Sequence, residues 1–541
     1  MKVFGRKRTD SEDRVERRVV PNMVSNVVFM LVNFAMGLLL VPFYIDQLGN
    51  ASYAIIPVAT SVTSYIVIIS DSLSSTVSRY LTIDLRTDIN VAKHTYNTAV
   101  LGFTGLLIVA IPVIMLISVL APSIFSIASN SVISVQILFV LILASVLITV
   151  WSNNFITVLF SKNRIDLMNV VKTTQVLVQI VLVIVFLLFV SKSVEYVGVA
   201  YFIASIVYAV LGYVLARRVC PELRVRRHSY DKQKFREMAV LGGWSLVNNL
   251  GNLLFIQTSL LLVNIFLGAD DGGYFGVIVT VISAVSALID TMGSIFAPIT
   301  YRLFSEKRVE TMNSVTKLAV KVVGLVMSMP IAFLCVFSVP ILTLWVGAEY
   351  QQLEPVVWAV MFLMVGIGAI TPAYPLTMVH LKVRIPGIVT LLFGVANVVL
   401  ALAVIAFTDL GIMGVGLVWS LTMFVKNCVF NPWYIARISG MGRFEIHRSL
   451  AYGYLSFVML VIAYGLLDHV LTIPVSWLWF GLLGVVLLGV HMLVTLRVFL
   501  NDDEREVVKS CIPGSLRRVV DRICRRSRPE CIIDVERIDP P

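Results

Sequence analysis

The chain matches itself once, about 219 residues apart, and the matching landmarks fall inside long apolar runs. Asn33 matches Asn252, Gly49 matches Gly268 and Asp71 matches Asp290, all at an offset of 219. Pro112 and Pro122 match Pro330 and Pro340 at 218, and Lys162-Asn163-Arg164-Ile165 matches Lys382-Val383-Arg384-Ile385 at 220. Apolar stretches align by chance. A Leu-Gly turn, an acid in mid-helix, a spaced proline pair and a basic loop in one register do not. Duplicated helical bundles of this size recur in secondary transporters, which bind substrate where the copies meet.

The runs themselves define the solvent. Hydrophobic residues make up 58% of the 541 residues and charged residues 14%, against about a quarter charged in soluble chains. About 20 apolar residues cross a hydrocarbon core of roughly 30 Å. The spacing predicts an all-α polytopic membrane protein with about fourteen transmembrane helices. They cover about 19–44, 51–83, 91–120, 130–160, 165–190, 195–218, 238–267, 273–303, 311–345, 353–381, 384–407, 409–436, 449–467 and 475–499. The first run is too long for a signal-peptide core and is expected to remain as a helix.

The net charge of +11 follows topology. Lys and Arg sit in the N-terminal tail (Arg6-Lys7-Arg8, Arg17-Arg18) and near Arg86, Arg164, 217–236, Arg308, Arg384 and Arg443. The alternate loops hold one Lys, Lys192, and no Arg. By the positive-inside rule both termini are expected in the cytoplasm, with the helices in the cytoplasmic membrane. The charge then implies contact with anionic membrane lipids and no nucleic acid. Cys220, Cys511, Cys524 and Cys531 are expected on the reducing side. No cysteine–histidine spacing suggests a metal.

Six helices per copy is an even number, so the copies are expected to be parallel, related by an axis along the membrane normal. The expected organisation is a basic tail (1–18), an N-lobe (19–219), a cytoplasmic linker and hinge (220–237), a C-lobe (238–436), a further helix pair (449–499) and a cytoplasmic tail (500–541). In that last tail Leu516, Val519, Val520 and Ile523 alternate with Arg517, Arg518, Arg522, Arg525 and Arg526. This pattern fits an amphipathic surface helix or a solvated disordered tail.

Asn22–Gly49, the turn Leu48-Gly49-x3-Tyr53, Lys162-Asn163-Arg164-Ile165-Asp166, Gly243-Trp244-Ser245-Leu246-Val247-Asn248 and Leu344-Trp345-Val346-Gly347-x2-Tyr350 resemble the polysaccharide biosynthesis transporters. These oligosaccharide-lipid flippases, O-antigen flippases among them, are related to peptidoglycan lipid flippases and multidrug and toxin extrusion (MATE) transporters. The resemblance implies MATE-like lobes around a central cavity, and a polyprenyl-(di)phosphate-linked glycan as substrate. Glycan assembly enzymes are implied partners. Fourteen helices resemble the flippase branches more than the drug exporters. The first helix lacks the Arg that peptidoglycan flippases carry, which argues against a peptidoglycan precursor. A cation-coupled multidrug exporter and a non-transporting scaffold are the alternatives.

A carboxylate at the bilayer centre costs roughly 2.5–3.5 kcal/mol on insertion scales, so Asp71 should face a cavity or a partner. It lies on a polar stripe with Thr60, Ser64, Ser75, Ser78 and Arg79; Asp290 lies on another with Ser283, Ser294 and Tyr301. The pair reads either as ion-coupling or gating groups, with Na+ or H+ as the ion, or as buried structural pairs such as Asp71 with Arg79. No cofactor is expected otherwise, nor metal, catalysis or ATP hydrolysis. Arg79, Lys426, Arg302 and Lys321 are the candidates for a phosphate headgroup, since Arg grips it with a fork and Lys as a point charge. Lys426 is deepest in its span; snorkelling to the interface explains the other three equally simply. Amides such as Asn33 and Asn252 can read sugar hydroxyls or join helices. Pro112, Pro330, Pro372 and Pro375 are expected to interrupt their helices, as hinges or as static kinks.

Overall fold

In the computed structural model, residues 10–126, 132–225, 230–294, 296–470, 475–502 and 504–505 are described. The Arg6-Lys7-Arg8 cluster, the 516–526 segment and Cys511, Cys524 and Cys531 lie outside them. Every regular element among the described residues is helical. Fourteen helices are long and apolar enough to cross a membrane. These spans, numbered in chain order, are Val24–Leu48, Asn50–Leu85, Ile89–Ile124, Val132–Ser161, Ile165–Phe189, Glu195–Val219, Leu246–Leu267, Ala269–Gly293, Val309–Val336, Ala348–Val379, Arg384–Phe407, Gly411–Ile438, Glu445–Val470 and Trp477–Phe499. Each overlaps one expected span.

Two compact units divide the chain: Met1–Ala284 with Arg384–Thr422, and Val285–Val383 with Met423–Pro541. In the first unit, span 4 packs along span 6, span 5 on span 6, span 1 on span 5, span 2 on span 7 and span 7 on span 11. Phe155, Val158, Tyr96 and Leu81 fill one core cluster there. In the second unit, span 9 packs along both span 13 and span 10. Ala369, Ile370, Leu376 and Ile435 form its core.

The duplication is visible in local geometry. Spans 1 and 5 pack together, and so do their counterparts, spans 7 and 11; spans 3 and 4 pack together, as do spans 9 and 10. Gly49 (φ 79°, ψ 158°) and Gly268 (φ 110°, ψ 178°) hold the same backbone conformation, one that is essentially restricted to glycine. The basic loop repeats with a slip. Asn163 and Leu381 both take a left-handed φ of 54°, 218 residues apart. Each closes a helix end, with Arg164 N–H donating to the Leu159 carbonyl and Lys382 N–H to that of Thr377. The Arg-Ile pair follows directly after Asn163 but two residues later after Leu381, so side-chain chemistry aligns at 220 and the turn at 218.

The prolines divide into two kinds. Pro112 and Pro330 lie inside continuous helices, Ile89–Ile124 and Val309–Val336, so the expected interruption does not occur there. Span 10 does break. A 3₁₀ turn over Thr371–Ala373 separates Glu354–Ile370 from Pro375–Val379, because Pro372 and Pro375 have no N–H to continue the ladder.

The linker is held along the bundle. Asn97 Nδ2 donates to the Arg224 carbonyl (3.1 Å) and Asp231 N–H to Thr98 Oγ1 (3.0 Å). The Lys234 ammonium meets Asp84 at 2.9 Å. Gly102 lies so close to the Phe235 ring that a Cβ there would come within 2.2 Å of it. The described residues of this linker thus clamp onto spans 2 and 3.

Candidate functional site

Span 2 turns a polar face outward. Asp71, Ser75 and Arg79, four residues apart, are all exposed, whereas Ser72 and Thr76 between them are buried. Four-residue steps keep one side of a helix. An exposed carboxylate and guanidinium within a membrane-spanning helix need water or polar partners, since lipid supplies neither. Higher on the same helix, Thr60 and Ser64 return their hydroxyls to the Pro57 and Thr60 carbonyls at 3.0 and 3.2 Å.

The electrostatic neighbour of Asp71 is Lys172 of span 5. Asp71 and Arg79 form no ion pair among the described residues, and the charge that Asp71 feels comes from a neighbouring helix. The Lys172 ammonium lies 5.6 Å from the centre of the Phe29 ring, a cation–π contact across spans 1 and 5. Sequence reasoning missed Lys172. A single Lys seven residues into a span reads as an end residue, and no local pattern ties it to Asp71. Span 6 contributes Tyr208, whose hydroxyl donates to Asn153 Oδ1 at 2.8 Å within the field of Asp71.

Amides fasten span 1 to span 5. Asn169 Nδ2 donates to Asn26 Oδ1 (2.6 Å) and Ser25 Oγ (2.9 Å), and the Asp166 N–H to Asn22 Oδ1 (2.9 Å). Asn33 donates to the Phe29 carbonyl at 3.0 Å. Its repeat mate Asn252 is exposed on span 7. Spans 2 and 7 are bridged by Ser61 to Gln257 Oε1 (2.6 Å) and by Asn249 to Ser72 Oγ (3.3 Å).

The second unit repeats the theme with exchanged partners. Asp290 is exposed with Thr291 on span 8; the Ser294 side chain lies outside the described residues. Tyr374 of span 10 donates to Asn427 Oδ1 of span 12 at 2.8 Å, and Asn431 Nδ2 adds a 3.0 Å bond to the same oxygen. Tyr208 and Asn427 occupy matching positions, 219 apart. Each copy therefore holds a Tyr–Asn bond within the electrostatic range of its acid, with tyrosine on span 6 in one and span 10 in the other.

Lys426 stands one residue before Asn427, 7% exposed. Its backbone is π-helical over Val425–Phe430, with Asn431 N–H bonded to the Lys426 carbonyl. Pro432 has no N–H for the Cys428 carbonyl, which explains the irregular turn; such turns cluster at functional sites. Lys321 is 5% exposed. Its ammonium meets Glu504 at 2.6 Å and sits 4.4 Å over the Tyr452 ring. Arg302 lies on the short helix Ala297–Ser305, exposed and paired with Glu306 at 3.4 Å. Next to that helix, His380 packs edge-on against Phe304, and burial pushes its imidazole below the usual range. The proposed cations are thus in distinct settings: Lys426 beside the Tyr–Asn bond, Lys321 toward spans 13 and 14, Arg302 on a flanking helix and Arg79 on span 2.

The sequence profile of the polysaccharide biosynthesis protein family matches residues 19–304, more than half of the chain. The chain belongs to the polysaccharide biosynthesis protein family. This family member is similar to the uncharacterized membrane protein EpsK of Bacillus subtilis (strain 168). They are 26% identical over 427 residues, covering 77% of this chain and 83% of EpsK. Its fold is that of two kinds of solved structure. The lipid II flippase MurJ in an inward closed conformation aligns with a TM-score of 0.65 at 12% identity, over 89% of this chain and all of MurJ. An inward-facing MATE family multidrug resistance transporter aligns at 0.60 and 16%, over 76% of this chain and 95% of that one. The polysaccharide biosynthesis protein described here is a multi-pass membrane protein with that shared fold.

Proposed function

We propose that the protein is a flippase that moves a polyprenyl-(di)phosphate-linked oligosaccharide across the cytoplasmic membrane. The observation that carries this reading is the exposed Asp71–Ser75–Arg79 face of span 2. A membrane protein with polar, charged surface at membrane depth handles a polar cargo there. Family membership supplies the polysaccharide context. The MurJ likeness, which extends over more of the chain than the MATE likeness, supports a lipid-linked cargo over a small drug.

On this reading, two six-helix lobes (19–219 and 238–436) open alternately to the two sides, with both termini in the cytoplasm. The sugar headgroup enters a hydrated chamber and the polyprenyl tail remains in lipid. Arg79 and Lys426 are each candidates to hold a phosphate, with Arg302 and Lys321 on the entry path. Asn33 and Asn252 bond sugar hydroxyls. Asp71, near Lys172, and Asp290, near Tyr374, exchange H+ or Na+ as the lobes move.

The test is depletion of the protein in its native cell. Lipid-linked oligosaccharide should accumulate in the inner leaflet while surface polysaccharide falls. Unchanged lipid-linked sugar with new sensitivity to cationic drugs would instead identify an exporter, and no change in either would leave a scaffold.

A further inference from the structure

Away from Asp71, Asp290 and Lys426, a cavity of about 510 Å³ opens where spans 4 and 6 end and span 5 begins. Lys162, Arg164 and Arg218 line it, and Leu167, Leu215 and Val219 form the rest of its wall. Half of the wall is therefore cationic and half aliphatic. Asp166 holds the Arg164 guanidinium in a fork, with Nε to Oδ1 at 3.0 Å and Nη2 to Oδ2 at 2.9 Å, which fixes its plane at the rim. The acids near the cavity are that Asp166 and Glu222. Glu222 accepts from the Cys220 thiol at 3.3 Å and feels the Lys162 ammonium. Three cations, Lys162, Arg164 and Arg218, thus stand against these two acids.

The arrangement recurs in sequence. Lys382, Arg384 and Arg437 stand at the matching positions of the second copy, at offsets of 220, 220 and 219. In that copy Arg437 lies over the Trp433 ring at 5.6 Å.

We propose that the Lys162–Arg164–Arg218 cavity is a binding site for the phosphate of an anionic phospholipid, with the aliphatic half of its wall taking the glycerol and upper acyl carbons. Guanidinium and ammonium groups bind phosphodiesters as fork and point charge, and basic pockets between membrane helices hold lipid headgroups. A soluble phosphate shares the charge but uses none of the apolar wall. The site would anchor the first unit to a negatively charged leaflet, whatever the protein transports.

The experiment uses full-length protein in phosphatidylcholine nanodiscs, titrated with phosphatidylglycerol and read by native mass spectrometry. Lys162→Gln with Arg218→Gln should weaken retained phosphatidylglycerol roughly tenfold or more. Arg218→Lys alone should keep most of it, and Lys192→Gln, outside the cavity, should change nothing. Failure of millimolar inorganic phosphate to displace the lipid assigns the site to the headgroup; displacement assigns it to soluble phosphate and overturns the lipid. Equal phosphatidylglycerol retention by the double variant and the wild type overturns the site altogether. Leu215→Trp, which fills the apolar wall without altering charge, gives a second reading: binding should fall although every cation remains.

Discussion

The Lys321 ammonium of span 9 is clasped by the Glu504 carboxylate at 2.6 Å, so the segment following span 14 is fastened to span 9. Arg505 secures the same segment by donating to the Leu496 and Arg497 carbonyls. His491 bonds the Leu325 carbonyl at 2.7 Å, and Ser456 bonds Ser328 at 2.8 Å. Spans 13 and 14 are docked on span 9 by polar bonds as well as by apolar packing. This arrangement separates structure from cargo binding at Lys321. Glu504→Gln should lower the thermal unfolding midpoint, because a largely buried cation loses its anion. Lys321→Met combined with Glu504→Leu should cost little stability, since apolar replacement of both partners of a buried pair is often neutral. If Lys321 meets the headgroup, the double variant should still lose transport. Normal transport in that variant would assign Lys321 to docking alone.

The shared backbone of Gly49 and Gly268 gives a second expectation. A Cβ at either position would meet nothing within 4 Å, yet their φ values of 79° and 110° lie where side-chain-bearing residues are strained. Gly49→Ala and Gly268→Ala should each cost about 1–3 kcal/mol, read as a lower unfolding midpoint. Wild-type stability in both would show that these turns relax readily.

Gly324 and Gly453 mark the crossing of spans 9 and 13. A Cβ on Gly453 would approach the Gly324 Cα at 3.0 Å, and one on Gly324 would come within 3.2 Å of the Gly453 Cα. Small residues permit such close approach in membranes. Gly453→Val should overpack the crossing by about 1–3 kcal/mol and expose span 13 to protease. Gly465→Val, where a Cβ meets nothing, is the matched control and should behave as wild type.

The Lys234–Asp84 pair closes the linker clamp. Both side chains are largely buried, at 18% and 13% exposure, and the Thr95 hydroxyl also donates to Asp84. A hydrogen bond to a charged group contributes roughly 1.5–3 kcal/mol. Asp84→Asn should therefore speed amide exchange across 232–238 roughly 10- to 100-fold. Unaltered exchange would mean that Phe235 against Gly102 holds the segment unaided.

How much of this was legible from the chain depends on range. Spans, repeat and the Gly49 and Gly268 turns follow from hydropathy and from residues whose backbone demands are local. Pairings between distant helices do not. Lys172 and Asp71 are 101 residues apart in sequence, and only packing brings spans 2 and 5 into electrostatic range. Glu504 looked like part of a charged tail, because nothing in its neighbourhood encodes a buried lysine 183 residues earlier. The prolines misled in the opposite direction: Pro112 and Pro330 are absorbed by continuous helices, whereas Pro432 produces a π-turn that no periodicity announces.

The central claim is tested most directly by reconstituting purified protein into liposomes with a fluorescent polyprenyl-diphosphate oligosaccharide and following its accessibility to an external quencher. Wild-type protein should bring inner-leaflet substrate to the outside, and Lys426→Ala, present at equal density, should reduce this to the protein-free rate. Substrate that stays inaccessible with wild-type protein, under both Na+ and H+ gradients, would contradict the account.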